Sequence, residues 1–425
     1  MSVFAKATAS PSRSKRTLLS GLAIVGASAL VLAGCATSEG DTSTGSDGGE
    51  LSLKLGTALP VTGNLAFLGP PEIAGTEYAA AQVNEADAGI QIDLIQGDSG
   101  DTDNKAYETE IPRLLGEDVS AILGAASSGV SLQFIDQVVG AGVIQFSPAN
   151  TSAAFTTYDD KGLYFRTAPS DVLQGEVLGN LIAADGHETL GMIVLNDSYG
   201  TGLAKFTQEA FEAAGGEVVS QPTYNTGDTT FDAQISEVLA ADPDAIALIT
   251  FEEVSTMLPS IVSSFPAANL YFVDGNLANF GDELAPGTLT GAKGTLPGLS
   301  VDTIADFTSA VNDFWVESGQ PELGEFSYAA ESYDSVILLA LASLAAGSTD
   351  PAAIAEKLQE VSGGSGNGEK CTTFADCAKI INDGGTADYD GISGPISFDE
   401  LGDPTEAKVG IYQYGEDNTY SAYNG

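Results

Sequence analysis

The chain has 425 residues, 59 of them Asp or Glu and 15 Lys or Arg, for a formal net charge of −44. Such a surface repels phosphate backbones, which excludes a nucleic-acid-binding role. A single histidine, His187, and three cysteines rule out any site needing two histidines and leave a Ser-His-Asp triad hanging on one candidate.

Residues 1–17 are basic and polar, with Lys6, Arg13, Lys15 and Arg16 and no acid. Residues 18–32 form an apolar run shorter than the roughly 20 residues that span a bilayer, which fits the h-region of a secretory signal. Leu32-Ala33-Gly34-Cys35 follows, and small residues before a cysteine resemble a bacterial lipobox. In that motif the thiol of Cys35 receives a diacylglyceryl group and becomes the first mature residue, so 1–34 is expected to be a lipoprotein signal peptide. The segment 35–50 is rich in Ser, Thr, Gly and Asp and reads as a lipidated cysteine on a flexible tether, with a reach of roughly 20 Å. With Cys35 acylated, two cysteines remain, Cys371 and Cys377. In an exported chain their closeness suggests a local disulfide; two free or metal-binding thiols are the alternative. No metal or other cofactor is implied.

From residue 51 short β-rich runs alternate with helical spacing. Strands are expected over 51–57, 90–96, 119–123 and 143–146, with helices over 73–84, 104–115 and 132–139. The rhythm returns with strands over 190–195, 218–224, 245–250 and 270–273 and helices over 177–184, 203–214, 231–241 and 254–264. Repeated βαβ units imply parallel sheets covered by helices, and two successive sets imply two doubly wound α/β lobes. Helices are expected over 304–317 and 328–345. The second is strongly apolar but carries Glu331 and Asp334, so it reads as buried rather than membrane-spanning. The tail, 392–423, reads as β-rich.

Seven short motifs then occur in order. They are Gly56-Thr57-Ala58-Leu59-Pro60-Val61-Thr62-Gly63; Gly124-Ala125-Ala126-Ser127-Ser128; Ser147-Pro148-Ala149-Asn150-Thr151; Phe165-Arg166-Thr167 with Ser170-Asp171 and Gln174-Gly175; Asp197-Ser198-Tyr199-Gly200; Tyr389-Asp390-Gly391 with Gly394-Pro395; and Phe398-Asp399 with Gly402-Asp403-Pro404. Together they resemble the leucine/isoleucine/valine-binding protein family, the type I periplasmic binding proteins of ABC importers. The resemblance runs from about 51 to 415. It implies two α/β lobes joined by three crossovers, with lobe one from 51–168 plus 299–388 and lobe two from 169–298 plus 389–425. It also implies a monomer, held outside the cell membrane by its lipid, that delivers a small amino acid to a permease and ATPase.

Carried over residue by residue, the resemblance places the ligand carboxylate against the hydroxyls of Ser128 and Thr151 and the backbone N–H groups around Ala149 and Thr151. The helix after Ser128 adds its N-terminus. Asp274 would pair with the ammonium. Phe251, where some members carry tyrosine, would offer a ring face. Tyr199 would close over the ligand, and Asp171 is a weaker polar candidate at the crossover. Phe67 and Leu68 would line an apolar pocket suited to an aliphatic side chain, narrowed or polarised by Asn150. Arg166 is expected to pair with a structural acid. Helix capping competes for Ser128 and Thr151, and a solvated loop for Asp274.

Three rival readings stand beside this one: a binding protein for an amide, urea or aromatic carboxylate; a sensory receptor lobe; and an α/β enzyme. The lone His187, expected to be exposed in a turn, argues against the last. The acidic run 98–103 lacks EF-hand spacing.

Overall fold

A computed structural model of the chain describes residues 50–423. The expected signal peptide, Cys35 and the tether up to residue 49 lie outside them.

Two parallel-sheet systems follow one another along the chain. The first sheet has five parallel strands in the order Ile90–Ile95, Leu51–Ala58, Ala121–Gly124, Ile144–Ser147 and Tyr164–Arg166. Ala121–Gly124 and Ile144–Ser147 are buried on both faces, whereas Ser52 in Leu51–Ala58 and Asp93 in the edge strand Ile90–Ile95 are exposed. The second sheet is built on Thr189–Leu195, which is flanked by Glu217–Ser220 and Ala245–Ile249, and continues through Leu270–Phe272 to Lys293–Pro297, all parallel. Val409–Tyr414 and Tyr420–Ala422 then extend it in antiparallel fashion. The single strand expected over 218–224 is two pieces, Glu217–Ser220 and Thr223–Tyr224. Pro222 has no N–H for the ladder, and its carbonyl accepts from Val194 N at 3.0 Å.

Local sequence sets where the helices begin. Ser127 caps Ser128–Gly140 by accepting from Val130 N, and Ser170 caps Asp171–Ala184 by accepting from Val172 N. Each such cap contributes about 1 kcal/mol. Within Asp171–Ala184, Gly175 and Gly179 lie four residues apart on one face. A Cβ on Gly175 would come 2.5 Å from the Phe206 Cβ, and one on Gly179 would come 2.5 Å from the Thr207 carbonyl. Only glycine lets this helix lie so close to Gly200–Ala213. Two helices that the periodicity did not single out, Pro351–Val361 and Phe374–Asn382, complete the cover of the first sheet. Ala329–Ala346 is long and apolar enough to cross a membrane, but its side chains are buried from Ala329 to Ser343, and it forms the spine of the first core. Cys371 and Cys377 are disulfide-bonded, with Cα atoms 5.4 Å apart, and tie the strand Glu369–Cys371 to the helix Phe374–Asn382.

The last crossing comes later than the 388/389 boundary expected from the sequence. Tyr389 donates to Asp334 at 2.6 Å, and Phe398 packs on Phe146 and Phe165, with ring centroids 5.9 and 5.6 Å away, so 389–404 belongs with the first core. The chain reaches the second sheet near Lys408, whose carbonyl accepts from Gly298 N at 2.9 Å. Arg166, which is fully buried, explains the delay. Its Nε and Nη2 donate to Asp403 at 2.6 and 2.9 Å, and its Nη1 donates to the carbonyls of Asn150 and Ser152. The structural acid expected for Arg166 is therefore Asp403. His187 is half-buried rather than exposed, edge-on to Tyr271 at 5.8 Å.

Several carboxylates are buried without a cation. Burial, with a further push from Asp334, raises the Glu331 carboxyl to about 8, and burial raises Glu72 well above the usual range. Both are neutral in the folded protein at pH values where the unfolded chain has ionised them. The unfolded state thus binds fewer protons, and stability falls as pH rises from about 4.5 to about 8. Melting temperature is expected to drop between pH 5 and pH 8, with Glu331→Gln flattening the slope. A rise over that interval would contradict these assignments.

Candidate functional site

The loops that leave the carboxyl ends of strands in both sheets meet in one cleft, as open α/β sheets require of their binding sites. After Ala121–Gly124 come Ala126, Ser127 and Ser128; after Ile144–Ser147 come Ala149 and Thr151. From the other side Tyr199 follows Thr189–Leu195, Phe251 follows Ala245–Ile249, and Asp274 and Gly275 follow Leu270–Phe272. Leu65, Leu68 and Tyr328 complete the lining. The space left between the walls is about 10 Å³, roughly what one water needs, so the two walls are closed on each other. No lysine, arginine or histidine lines it.

Seven of the ten residues expected at the ligand share this lining: Leu68, Ser128, Ala149, Thr151, Tyr199, Phe251 and Asp274. Asp171 is fully buried but does not line it. Its N–H donates to the Thr151 carbonyl at 2.7 Å, and the Thr151 hydroxyl sits beside its buried carboxyl. Burial raises its carboxyl well above the usual range, and the charge of Asp274 adds to this.

The first wall offers neutral donors. Ser127, not Ser128, caps the helix, and the Ser128 hydroxyl, in the cleft lining, accepts from Ser152 N at 3.2 Å. The Thr151 hydroxyl is buried beside the Asp171 carboxyl, where its hydrogen bond works against the rise that burial imposes on that group. The Ala149 N–H was expected to serve the ligand, but it already donates to Ser147 Oγ at 3.2 Å. Asn150 was expected to shape the pocket. It turns away instead, with Nδ2 donating to the carbonyls of Ala125 and Ala126 at 2.9 and 2.8 Å and Oδ1 accepting from the Tyr164 hydroxyl. Phe67, also expected in the pocket, lines a neighbouring groove.

The second wall is centred on Asp274, which is 5% exposed. Oδ1 accepts from the Tyr199 hydroxyl at 2.7 Å and from Gln174 Nε2 at 2.9 Å, and Oδ2 accepts from the Tyr328 hydroxyl at 2.7 Å. Burial raises its carboxyl, and these three donors work against that rise. Tyr199 also stacks on Phe251, with ring centroids 5.3 Å apart and 17° between the planes. Tyr199 thus holds Asp274 and Phe251 in place rather than serving only as a cover. Sequence reasoning missed Tyr328 and Gln174 as site residues. Tyr328 carries a left-handed backbone (φ 61°) at the entrance to Ala329–Ala346, and no local motif marks it. Gln174 stands within a quoted motif, one turn beyond Asp171, and the helical spacing could have found it.

Hydrogen bonds across the cleft hold the two walls together. Asn64 Nδ2 donates to Glu253 Oε1 at 3.1 Å, Ser152 Oγ to the Ser198 carbonyl at 2.9 Å, and Asn279 Nδ2 to the Gly324 carbonyl at 3.2 Å.

Two α/β halves that face each other across a small polar cleft define a ligand-capturing protein. Residues 52–382 match the family model described as periplasmic binding protein, and the chain belongs to that family. The Leu/Ile/Val-binding protein homolog 2 of Brucella abortus is 26% identical over 382 residues, which cover 87% of this chain and 93% of the relative. Among solved structures, the leucine binding protein LivK of Thermotoga maritima superposes with a TM-score of 0.69 at 21% identity, covering 87% of this chain and 97% of that one. A solute binding protein of R. palustris, solved in complex with benzoate, gives a TM-score of 0.68 at 18% identity, covering 87% and 95%. The family and these neighbours are solute-binding proteins, not enzymes.

Proposed function

We propose that this chain is the extracytoplasmic, lipid-anchored substrate-binding protein of an ABC importer, and that its cleft captures a small zwitterionic amino acid of the Leu/Ile/Val type. The observation that carries this reading is the opposition of charge preferences across the cleft. Neutral hydroxyls on Ser128 and Thr151 stand across the cleft from a buried carboxylate, Asp274, with the buried carboxyl of Asp171 behind Thr151. Hydroxyls bind a carboxylate without a fixed cation, and a carboxylate binds an ammonium; an amino acid carries both. Leu65, Leu68 and Phe251 leave an apolar surface for the side chain. The ligand touches both walls at once, and that differential contact draws them closed. A permease and an ATPase would receive the ligand from the monomeric protein, with the lipid on Cys35 keeping it at the membrane.

A melting scan of the chain from Ala36 onward tests the reading against leucine, isoleucine, valine, acetamide, urea and benzoate. Ligand at about 100 times its dissociation constant stabilises by about 2.7 kcal/mol, a shift of several degrees. A shift with the branched-chain amino acids alone is expected. A shift with benzoate, acetamide or urea alone would replace the ligand. Stabilisation by leucine in a protein encoded beside a membrane kinase rather than a permease would favour the sensory role.

A further inference from the structure

A second and larger space adjoins the cleft. The two linings share three stretches of chain: Phe67 and Leu68, Phe251 and Glu252, and Gly275 and Asn276 each give one residue to the groove and one to the cleft. The groove has a volume of about 500 Å³, and both halves of the molecule line it. Its chemistry differs from that of the cleft. Phe67, Phe280 and Trp315 supply aromatic surface. Glu252, Glu283, Glu322 and Glu325 supply four carboxylates, and no lysine, arginine or histidine lines the groove.

The acids alone would be a solvated rim, but Glu325 is different. Both its carboxylate oxygens are buried and have no hydrogen-bond partner, although the residue lines the groove. Behind Pro70 and Pro71, Glu72 is 0% exposed, and both its oxygens are likewise unpartnered. Burial raises both carboxyls, and for Glu72 the charge of Glu325 is the next cause. With no cation among the lining residues, burial keeps both carboxyls protonated near neutral pH, and a cation bound beside Glu325 would favour its ionised form. Aromatic faces beside such a group are the environment that an organic cation fills.

We propose that this groove is a second ligand site, which takes an organic ammonium ion with its charge against Glu325 and its apolar substituents against Phe67, Phe280 and Trp315. An occupant touching both halves favours the arrangement in which the cleft is closed. Cation and amino acid therefore strengthen each other's binding, by the same factor in both directions. That coupling rests on the amino-acid reading of the cleft; the cation site does not.

Trp315 is the only tryptophan in the chain, so its emission reports on the groove directly. Tetraethylammonium chloride titrated into the protein, with sodium chloride matched for ionic strength as the reference, is expected to give a saturable change in that emission. Glu325→Gln is expected to weaken the midpoint about tenfold or more, and Phe280→Ala to weaken it while the melting transition remains cooperative. Leucine titrated calorimetrically into the same sample reads the cleft separately. A saturable cation signal without leucine binding would leave the groove standing and sink the amino-acid reading. Leucine binding with no saturable cation signal would overturn the groove, as would equal changes from sodium chloride or an unchanged midpoint in Glu325→Gln.

Discussion

Asp274→Asn is expected to lower affinity for leucine by about 100-fold or more while leaving the fold intact. The side chain is nearly isosteric, so the loss is one of charge and hydrogen-bond polarity. Tyr199, Tyr328 and Gln174 all donate to the native carboxylate. An amide there supplies one acceptor oxygen and sets an NH₂ group against at least one of those donors. It also removes the anion facing the ligand ammonium. Losing one partner of a buried, hydrogen-bonded charge pair costs about 2–5 kcal/mol, and each 1.4 kcal/mol is about tenfold in affinity. Calorimetric titration measures the loss, and an unchanged melting temperature without ligand separates it from unfolding. Affinity within a few-fold of the native value would remove Asp274 from the site.

Asp403→Ala is expected to be the most destabilising single change at the crossover, by about 3–5 kcal/mol. It strips the fully buried Arg166 of its carboxylate partner, leaving Nε without that acceptor and Nη2 with only the Thr156 hydroxyl at 3.1 Å. The uncompensated guanidinium, rather than the lost attraction, dominates that cost. For a chain of this size the melting temperature should fall by about 4–6 °C. The double replacement Arg166→Met with Asp403→Leu should recover much of the loss, because it removes both charges together. Arg166 also holds the carbonyls of Asn150 and Ser152, on either side of Thr151. The single variant should therefore weaken leucine binding as well. A thermal melt that leaves the Asp403→Ala midpoint unchanged would contradict this account of the crossover.

The alternation of strand and helix and the loops that end the strands were legible because inner strands such as 121–124, 245–249 and 270–272 are short, fully buried apolar runs. What the sequence did not disclose lay in side-chain direction and long-range partnership. Ser127 and Ser128 are adjacent and chemically identical, and only the backbone angle at Ser127 decides which one caps the helix. Asn150 sits in the same motif as Ala149 and Thr151, but it points into backbone carbonyls that another loop supplies. Tyr328 arrives at Asp274 from a segment 54 residues away. The last crossover was placed too early because nothing near residue 389 announces that Phe398 will pack on Phe146 and Phe165, or that Asp403 will meet Arg166. The break in the strand at Pro222, by contrast, was open to reading from proline's missing N–H.

The central claim is that one ligand satisfies a hydroxyl wall and a carboxylate wall together. Calorimetric titration of the chain from Ala36 onward with leucine, with 4-methylpentanoic acid and with leucine methyl ester tests it most directly. The acid lacks the ammonium and the ester lacks the carboxylate, while the side chain is the same in all three. Leucine is expected to bind, and each analogue to bind about 100-fold more weakly or not at all. Binding of 4-methylpentanoic acid as tightly as leucine would mean that Asp274 and Asp171 face no ammonium, and that the cleft belongs to a carboxylate ligand of another class.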